Sequence, residues 1–355
     1  MSVTIAEVAR AAGVSKATVS LVLNGRDRPV RISQATRQAV ADWAQRLGYQ
    51  PNHAARSLRR RRSNVITLLV WRLSSAYFIE IAEGVRLATE RSGYDVNVVD
   101  AGPVDAEVRA LQQVRTGASD GVIVATGYHT TRGPALTALR ALAEHGAPLV
   151  MLLDRSSDPR IPSIRIDDEL GAYTATRHLI GLGHRRIAHI SVSGGRMDDN
   201  DGSPQFDRFQ GYVRALSEAG LSPEPRAIVQ GAGLMAGGRA SAFELLGRFR
   251  SARRRPTAVF VYNDLAAVGV LRALYEAGVR VPQDMAVVGF HGLELGEFTT
   301  PSLTSVSHAR AALGEMGATL LLDRIEQRGP ASVTERVLPV ELVVRESCGA
   351  RVPTA

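Results

Sequence analysis

The sequence predicts two architectures in one chain. A small all-α helix-turn-helix head and a short hinge helix precede a large α/β body of doubly wound parallel sheets. Three observations predict this. The first is charge: 43 basic and 35 acidic side chains give +8 over 355 residues, unevenly distributed. Residues 1–62 hold twelve basic side chains against Glu7, Asp27 and Asp42, a net +9, and the rest of the chain is near neutral. The second is a pair of short amphipathic stretches separated by a glycine near the start. The third is a long alternation of apolar runs with amphipathic stretches beyond residue 63, the signature of parallel strands covered by helices. With 45% hydrophobic and 22% charged residues, the composition is that of folded domains.

Thr4 and Glu7 have the spacing of a capping box, so a helix begins near Ile5. Ile5, Val8, Ala9 and Ala12 repeat at helical spacing and form its inward stripe. Gly13 suits the left-handed residue that ends a helix, and Val14 the apolar plug of the turn. Ser15 caps a second helix with Val19, Val22 and Leu23 inward, leaving Lys16, Ala17, Ser20 and Leu21 outward. A third helix runs from about Ser33 to Leu47, burying Val40, Trp43, Ala44 and Leu47, and Gly48 ends it. Two helices joined by a glycine turn lay the second into a DNA major groove. Residues 52–62 then read Asn-His-Ala-Ala-Arg-Ser-Leu-Arg-Arg-Arg-Arg. The bland reading is a solvated basic linker. Leu58, however, is isolated among cations, and a short basic helix with one apolar wedge suits a minor groove. Such a segment is too short to hold a helix alone and is expected to fold on DNA.

Residues 3–58 run from Val-Thr-Ile-Ala-Glu-Val-Ala through Gly-Val-Ser-Lys-Ala-Thr-Val-Ser to Gly-Tyr-Gln-Pro-Asn and Ala-Arg-Ser-Leu. This segment resembles the headpiece and hinge of the lactose/galactose repressor (LacI/GalR) family of bacterial transcription regulators. The likeness extends to about Glu346. It implies a homodimeric repressor that grips a near-palindromic operator and is switched by a small molecule. It also implies that Lys16, Ala17 and Leu21 read bases, that Thr4, Ser15, Ser20 and Asn24 touch phosphates, and that Leu58 is the minor-groove wedge with Arg59 beside it. Two departures stand out. The loop from Gly25 to Ile32 is longer than in relatives and adds arginines. Leu21 cannot hydrogen-bond a base, although it can meet a thymine methyl while Lys16 reaches a guanine edge. An exposed leucine without a role is the plainer reading of Leu21.

In the body the apolar runs are Val65–Trp71, Val96–Val99, Gly121–Ala125, Pro148–Leu153, Ile187–Ile190, Ala227–Val229, Ala258–Val261 and Ala286–Phe290. Helical stretches such as Tyr77–Ser92, Ala106–Thr116, Phe206–Ala219 and Leu265–Ala277 lie between them. The resemblance implies a two-lobed, type I periplasmic-binding-protein-like body, crossed near Asp168, Ser307 and Arg336. The expected organisation is a head over residues 1–50, a hinge over 51–62 and an effector-binding and dimerisation body over 63–355. One lobe would comprise 63–167 and 308–335, the other 168–307 and 336–346. Ligands of such sheets bind beyond the carboxyl ends of the strands. Tyr77, Phe78, Asp154, Asp167, Arg208, Asn263 and His291 fall there. A lone carboxylate at a strand end is more often a helix cap; seven convergent positions favour a site. By resemblance all but His291 match effector-pocket positions, and His291 stands where an aspartate is common. Leu234 or Met235 replaces an aromatic ring that relatives stack on the ligand. A sugar is the expected effector and a nucleobase or nucleoside the alternative; inducer and corepressor action both remain open.

Other classes fit less well. Gly231-Ala-Gly233-Leu-Met-Ala-Gly237 follows a strand like a loose dinucleotide loop. About twenty residues on, however, the chain reads Ser-Ala-Arg-Arg-Arg where an acidic residue is required. Neither a nucleophile-elbow motif nor a His-Glu-x-x-His pair occurs, so no enzyme activity and no cofactor is expected. The single cysteine, Cys348, excludes an intrachain disulfide and a cysteine-clustered metal site. No apolar run reaches membrane-spanning length. The N-terminus lacks a secretory layout, and with the basic head this argues for a cytoplasmic protein over a transporter's solute-binding protein.

Overall fold

The computed structural model describes residues 3–23, 32–49, 62–102, 104–126, 133–192, 203–249, 251–328 and 335–350. The chain divides into two compact units, Met1–Ser63 and Asn64–Ala355.

In the first unit, α1 (Ile5–Ala11), α2 (Lys16–Leu23) and α3 (Gln34–Arg46) enclose a small core of Val8, Ala9, Val19, Val40 and Ala44. The Glu7 carboxylate accepts from the Thr4 amide at 2.7 Å and the Thr4 hydroxyl at 2.8 Å, closing the start of α1. These hydrogen bonds hold the Glu7 carboxyl below its ordinary range. Gly13 is left-handed at φ +66°, which lets the Val14 amide return to the Ala9 carbonyl at 3.0 Å. Ser15 Oγ accepts from the Thr18 amide at 3.1 Å, and Ser33 Oγ from the Thr36 amide at 3.2 Å. Hydroxyl caps thus set where α2 and α3 begin.

The second unit contains two six-stranded sheets. The first is ordered β11-β5-β4-β3-β1-β2 and is parallel throughout. Its strands are β1 (Val65–Val70), β2 (Asp95–Asp100), β3 (Gly121–Ala125), β4 (Leu149–Leu152), β5 (Ser163–Ile166) and β11 (Glu335–Leu338). The second is ordered β12-β10-β9-β8-β6-β7, with β12 antiparallel at its edge. It comprises β6 (Ile187–Val192), β7 (Ile228–Gly231), β8 (Ala258–Val261), β9 (Ala286–His291), β10 (Thr304–Ser307) and β12 (Glu341–Val343). Helices α4 (Ala76–Glu90), α5 (Val104–Arg115), α6 (Gly133–Glu144) and α11 (Arg310–Ile325) belong to the first lobe. Helices α7 (Asp168–Gly181), α8 (Pro204–Glu218), α9 (Met235–Arg248) and α10 (Asp264–Glu276) belong to the second.

The chain passes between lobes after β5, after β10 and after β11. The crossing expected near Arg336 lies instead between Leu338 and Glu341, because Glu335–Leu338 pairs in parallel with β5. The first lobe therefore extends past residue 335. Strand β10 escapes an apolar-run search because two of its three buried positions, Thr304 and Ser305, carry hydroxyls and only Val306 is apolar. Thr304 donates to the Arg345 carbonyl at 3.0 Å, and Ser305 to Asp264 at 2.6 Å.

Candidate functional site

On α2, Lys16 and Ala17 are exposed, whereas Ser20 and Leu21 are half-buried and Leu21 stays outside the head's core. One face of α2 therefore packs inward through Val19, Val22 and Leu23, and Lys16 and Ala17 stand exposed outside that core. Thr4 is exposed with both its donors turned to Glu7, and Ser15 is exposed while capping α2. Asn24, Leu58 and Arg59 lie outside the described residues.

In the body, the carboxyl ends of strands from both sheets face a cavity of about 480 Å3. Arg208, Asp168, His291, Tyr77 and Asn263 define its polar wall. Arg208 is 2% exposed and is held on several sides. Its Nε donates to Asp168 Oδ1 at 2.7 Å, Nη1 to the Tyr262 carbonyl at 2.6 Å, and Nη2 to His291 Nε2 at 3.0 Å. The guanidinium also lies over the rings of Phe290, at 3.8 Å, and Tyr262, at 4.4 Å. Charge-assisted bonds and ring faces together compensate for removing this cation from water. Burial pushes the Asp168 carboxyl up to about 6, with the Arg208 charge opposing it.

A guanidinium can only donate, so His291 Nε2 is an acceptor and the ring proton sits on Nδ1. Burial, followed by the charges of Arg208, His308 and Arg310, holds the His291 pKa well below its ordinary value. The ring therefore stays neutral. His291 stacks on Tyr77 of the opposite lobe, with centroids 3.9 Å apart and planes 24° from parallel. Its φ is +108°, and Leu153 beyond β4 is at +78°. Both residues line the cavity. Non-glycine residues rarely adopt such angles, and surrounding structure must hold them there. Arg310, at the start of α11, ties this corner together. It donates to the His291 carbonyl and pairs with Glu80 at 2.9 Å.

The predicted positions separate clearly. Tyr77, Phe78, Arg208, Asn263 and His291 line the cavity, whereas Asp154 and Asp167 do not. Asp154 is fully buried. Asp167 is the N-cap of α7, accepting from the Leu170 amide at 3.0 Å, and the carboxylate facing the cavity belongs to its neighbour Asp168. The adjacent pair is visible in sequence, but which member turns inward depends on the dihedral angles where the helix starts. Asn263 caps α10 by accepting from the Ala266 amide at 2.8 Å and also donates to the Gly233 carbonyl at 3.0 Å. Leu234 lines the cavity and Met235 does not. Trp71, Tyr262 and Thr126 also line it and were not singled out by strand-end position. No group of metal-ligating side chains occurs among the described residues, and no helix among them is long and apolar enough to cross a membrane.

A helix-turn-helix head with a two-lobed, cleft-bearing body defines a class: the DNA-binding transcription regulators with a periplasmic-binding-protein-like domain. Residues 4–52 match the bacterial regulatory proteins of the lacI family, and residues 176–348 match the periplasmic binding protein-like domain. The HTH-type transcriptional regulator DegA of Bacillus subtilis (strain 168) is 32% identical over 357 residues, covering 98% of each chain. The HTH-type transcriptional repressor PurR of Mannheimia succiniciproducens is 31% identical over 97% of this chain and 98% of that one. The chain belongs to the LacI family of bacterial transcriptional regulators. Among solved structures, the lac repressor dimer bound to operator and the anti-inducer ONPF superposes with a TM-score of 0.82 at 27% identity, over 99% of this chain and 100% of that chain. The transcriptional regulator CelR-cellobiose complex gives a TM-score of 0.70 at 32% identity, over 97% and 99%. These relatives are regulators, not enzymes.

Proposed function

We propose that this regulator is a homodimeric repressor whose operator affinity is set by a small neutral molecule, a sugar or sugar derivative, held between the lobes of its body. The observation that carries the reading is Arg208, a buried guanidinium fixed by Asp168, the Tyr262 carbonyl and His291 on the cavity wall. Protein groups alone hold its guanidinium in place, so little ordering cost falls on binding. Asn263 adds an amide, and Trp71 and Phe78 offer apolar surface to the C–H face of a ring. The cellobiose-bound relative supports a sugar. A nucleoside is the second reading. Asp168 is the sole carboxylate lining the cavity among the described residues and is committed to Arg208, while Trp71, Tyr77, Phe78 and Tyr262 supply aromatic surface.

In the head, the exposed start of α2 supports base reading by Lys16 and Ala17, with Leu21 against a methyl group. Thr4, Ser15, Ser20 and Asn24 would hold phosphates, and Leu58 with Arg59 would enter the minor groove. Selection from random duplex DNA with the full-length protein should enrich an inverted repeat, and sugars and nucleosides can then be screened for release or tightening. Arg208→Ala would strand Asp168 in the interior at a cost of about 3–5 kcal/mol, so Arg208→Lys is the cleaner probe. It keeps the charge and loses the fork. Unchanged operator binding with an effector response weakened about tenfold or more is expected. An undiminished response would take Arg208 out of the effector site.

A further inference from the structure

We infer that the second lobe carries a separate site for a small, multiply phosphorylated anion, in an arginine-lined groove at the end of its sheet away from the cleft. Arg186 immediately precedes β6, Arg226 precedes β7, and Arg253 and Arg254 precede β8. The parallel order of these strands gathers the four guanidiniums at one end, while Val192, Asn263 and His291 mark the cleft at the other. With Arg248 they line a groove of about 730 Å3, in which Glu224 is the sole acidic lining residue among those described. Five lining cations face one lining anion, an excess of three once Glu244, which pairs with Arg248, is counted, in a body whose 31 basic and 32 acidic side chains nearly cancel. The groove is therefore not a sample of the body's average surface.

Elsewhere in the body many arginines rest on carboxylates, as Arg86 does on Glu83, Arg160 on Asp158 and Arg280 on Asp284. Arg186, Arg226, Arg253 and Arg254 make no such pair among the described residues. A backbone carbonyl holds Arg186 instead, and Arg248 combines a backbone carbonyl with a carboxylate. Arg186 Nε donates to the Arg255 carbonyl at 3.0 Å, which leaves its terminal nitrogens uncommitted. Arg248 Nη1 donates to the Ile228 carbonyl at 2.6 Å and Nη2 to Glu244 at 2.6 Å. The fold thus uses backbone acceptors to position like charges close together. That arrangement is repulsive when empty and favourable around an anion. Guanidinium forks match phosphate oxygens in pairs, and the groove is within the size range of small-molecule sites, roughly 300–1,000 Å3. Phe249, the sole lining aromatic among the described residues, is 5% exposed and offers no platform for a base. Recognition would rest on phosphate groups.

The probe is inorganic tripolyphosphate, titrated calorimetrically into the full-length protein at fixed moderate salt. One saturable site per chain is expected, weakened about tenfold or more in the Arg226→Ser, Arg254→Ser double variant. The Arg109→Ser, Arg115→Ser variant removes the same charge from exposed positions on α5 and should leave binding unchanged. Thermal unfolding of both variants verifies that they fold. Equal weakening in both, no saturable site, or undiminished binding in the groove variant would each overturn the proposal. So would a groove that takes up duplex DNA lacking an inverted repeat but not tripolyphosphate, with DNA uptake lost in the groove variant.

Discussion

At the Glu107 carboxyl, burial and hydrogen bonding pull in opposite directions. The side chain is fully buried in the first turn of α5. Its Oε1 accepts from the Thr126 hydroxyl at 3.2 Å, and Oε2 has no hydrogen-bond partner among the described residues. Burial pushes the group up from 4.5 to about 7, with the Thr126 bond opposing. Between those values the folded chain keeps a proton that the unfolded chain releases, so stability falls as pH rises through the window and levels off above it. Each tenfold gain in proton affinity corresponds to about 1.4 kcal/mol, which makes the whole loss on the order of 3 kcal/mol. Asp168 and Asp264, each pushed up to about 6 by burial, act in the same direction. Glu107→Gln preserves the neutral shape and removes this contribution alone. Urea unfolding of the body at pH 5 and pH 8 should therefore show a shallower loss in the variant, which becomes the more stable protein at pH 8. Parallel losses in the two proteins would dismiss Glu107 as a source. Nothing in the sequence announces this group, since an acidic residue at a helix start ordinarily serves the helix dipole in water.

At the scale of elements, helix pairs approach through glycine. A Cβ on Gly84 of α4 would meet the Ala311 carbonyl oxygen of α11 at 1.9 Å, and one on Gly314 of α11 would meet the Ile81 oxygen at 2.1 Å. Between α7 and α8, a Cβ on Gly211 would lie 2.1 Å from the Glu169 oxygen and 2.8 Å from the Tyr173 nitrogen. These are backbone atoms of a packed helix and cannot swing aside. The same helix pair supplies Asp168 and Arg208, so its spacing sets the ion pair on the cavity wall. Gly211→Ala is expected to cost about 1–3 kcal/mol by overpacking and to blunt the effector response while operator affinity without effector is retained. Chemical denaturation and a DNA-release titration measure the two effects separately; loss of neither would mean the helices have room to part. Element identity was largely legible from chemistry: Ser15 and Ser33 announce their helices, and Val65–Val70 and Ala258–Val261 announce buried strands. Sheet membership was not. The lobe boundary expected at Arg336 cuts through Glu335–Leu338, and only pairing with β5 assigns the whole segment to the first lobe. Asp168 was hidden for a related reason, since adjacent carboxylates at a helix start have the same composition and opposite directions.

At the scale of the molecule, regulation requires the two lobes to have a shared equilibrium that a ligand can bias. The contact between Tyr77 and His291 spans that division. Tyr77 belongs to α4 of the first lobe, and His291 ends β9 of the second while accepting from Arg208 within its own lobe. Arg310 reinforces the junction from the start of α11. A ligand entering the cavity must share space with the stacked rings, and so acts on a contact between lobes as well as on a wall. Stacked ring pairs contribute about 0.5–1.5 kcal/mol beyond burial, so removing this one shifts a lobe equilibrium by roughly twofold to tenfold. Tyr77→Leu retains apolar volume and loses the stack. Its operator affinity without effector should move within that range. The dependence of affinity on salt should stay as in the parent protein, because that slope counts phosphate contacts and the excess positive charge lies in residues 1–62. Fluorescence titrations of labelled operator at several salt concentrations read both quantities. An unchanged affinity would mean that the lobes hold their arrangement without the stack. A changed slope would mean that the substitution had reached the head itself. Only a shift in affinity at constant slope identifies the Tyr77–His291 contact as a point where the state of the cavity is converted into grip on DNA.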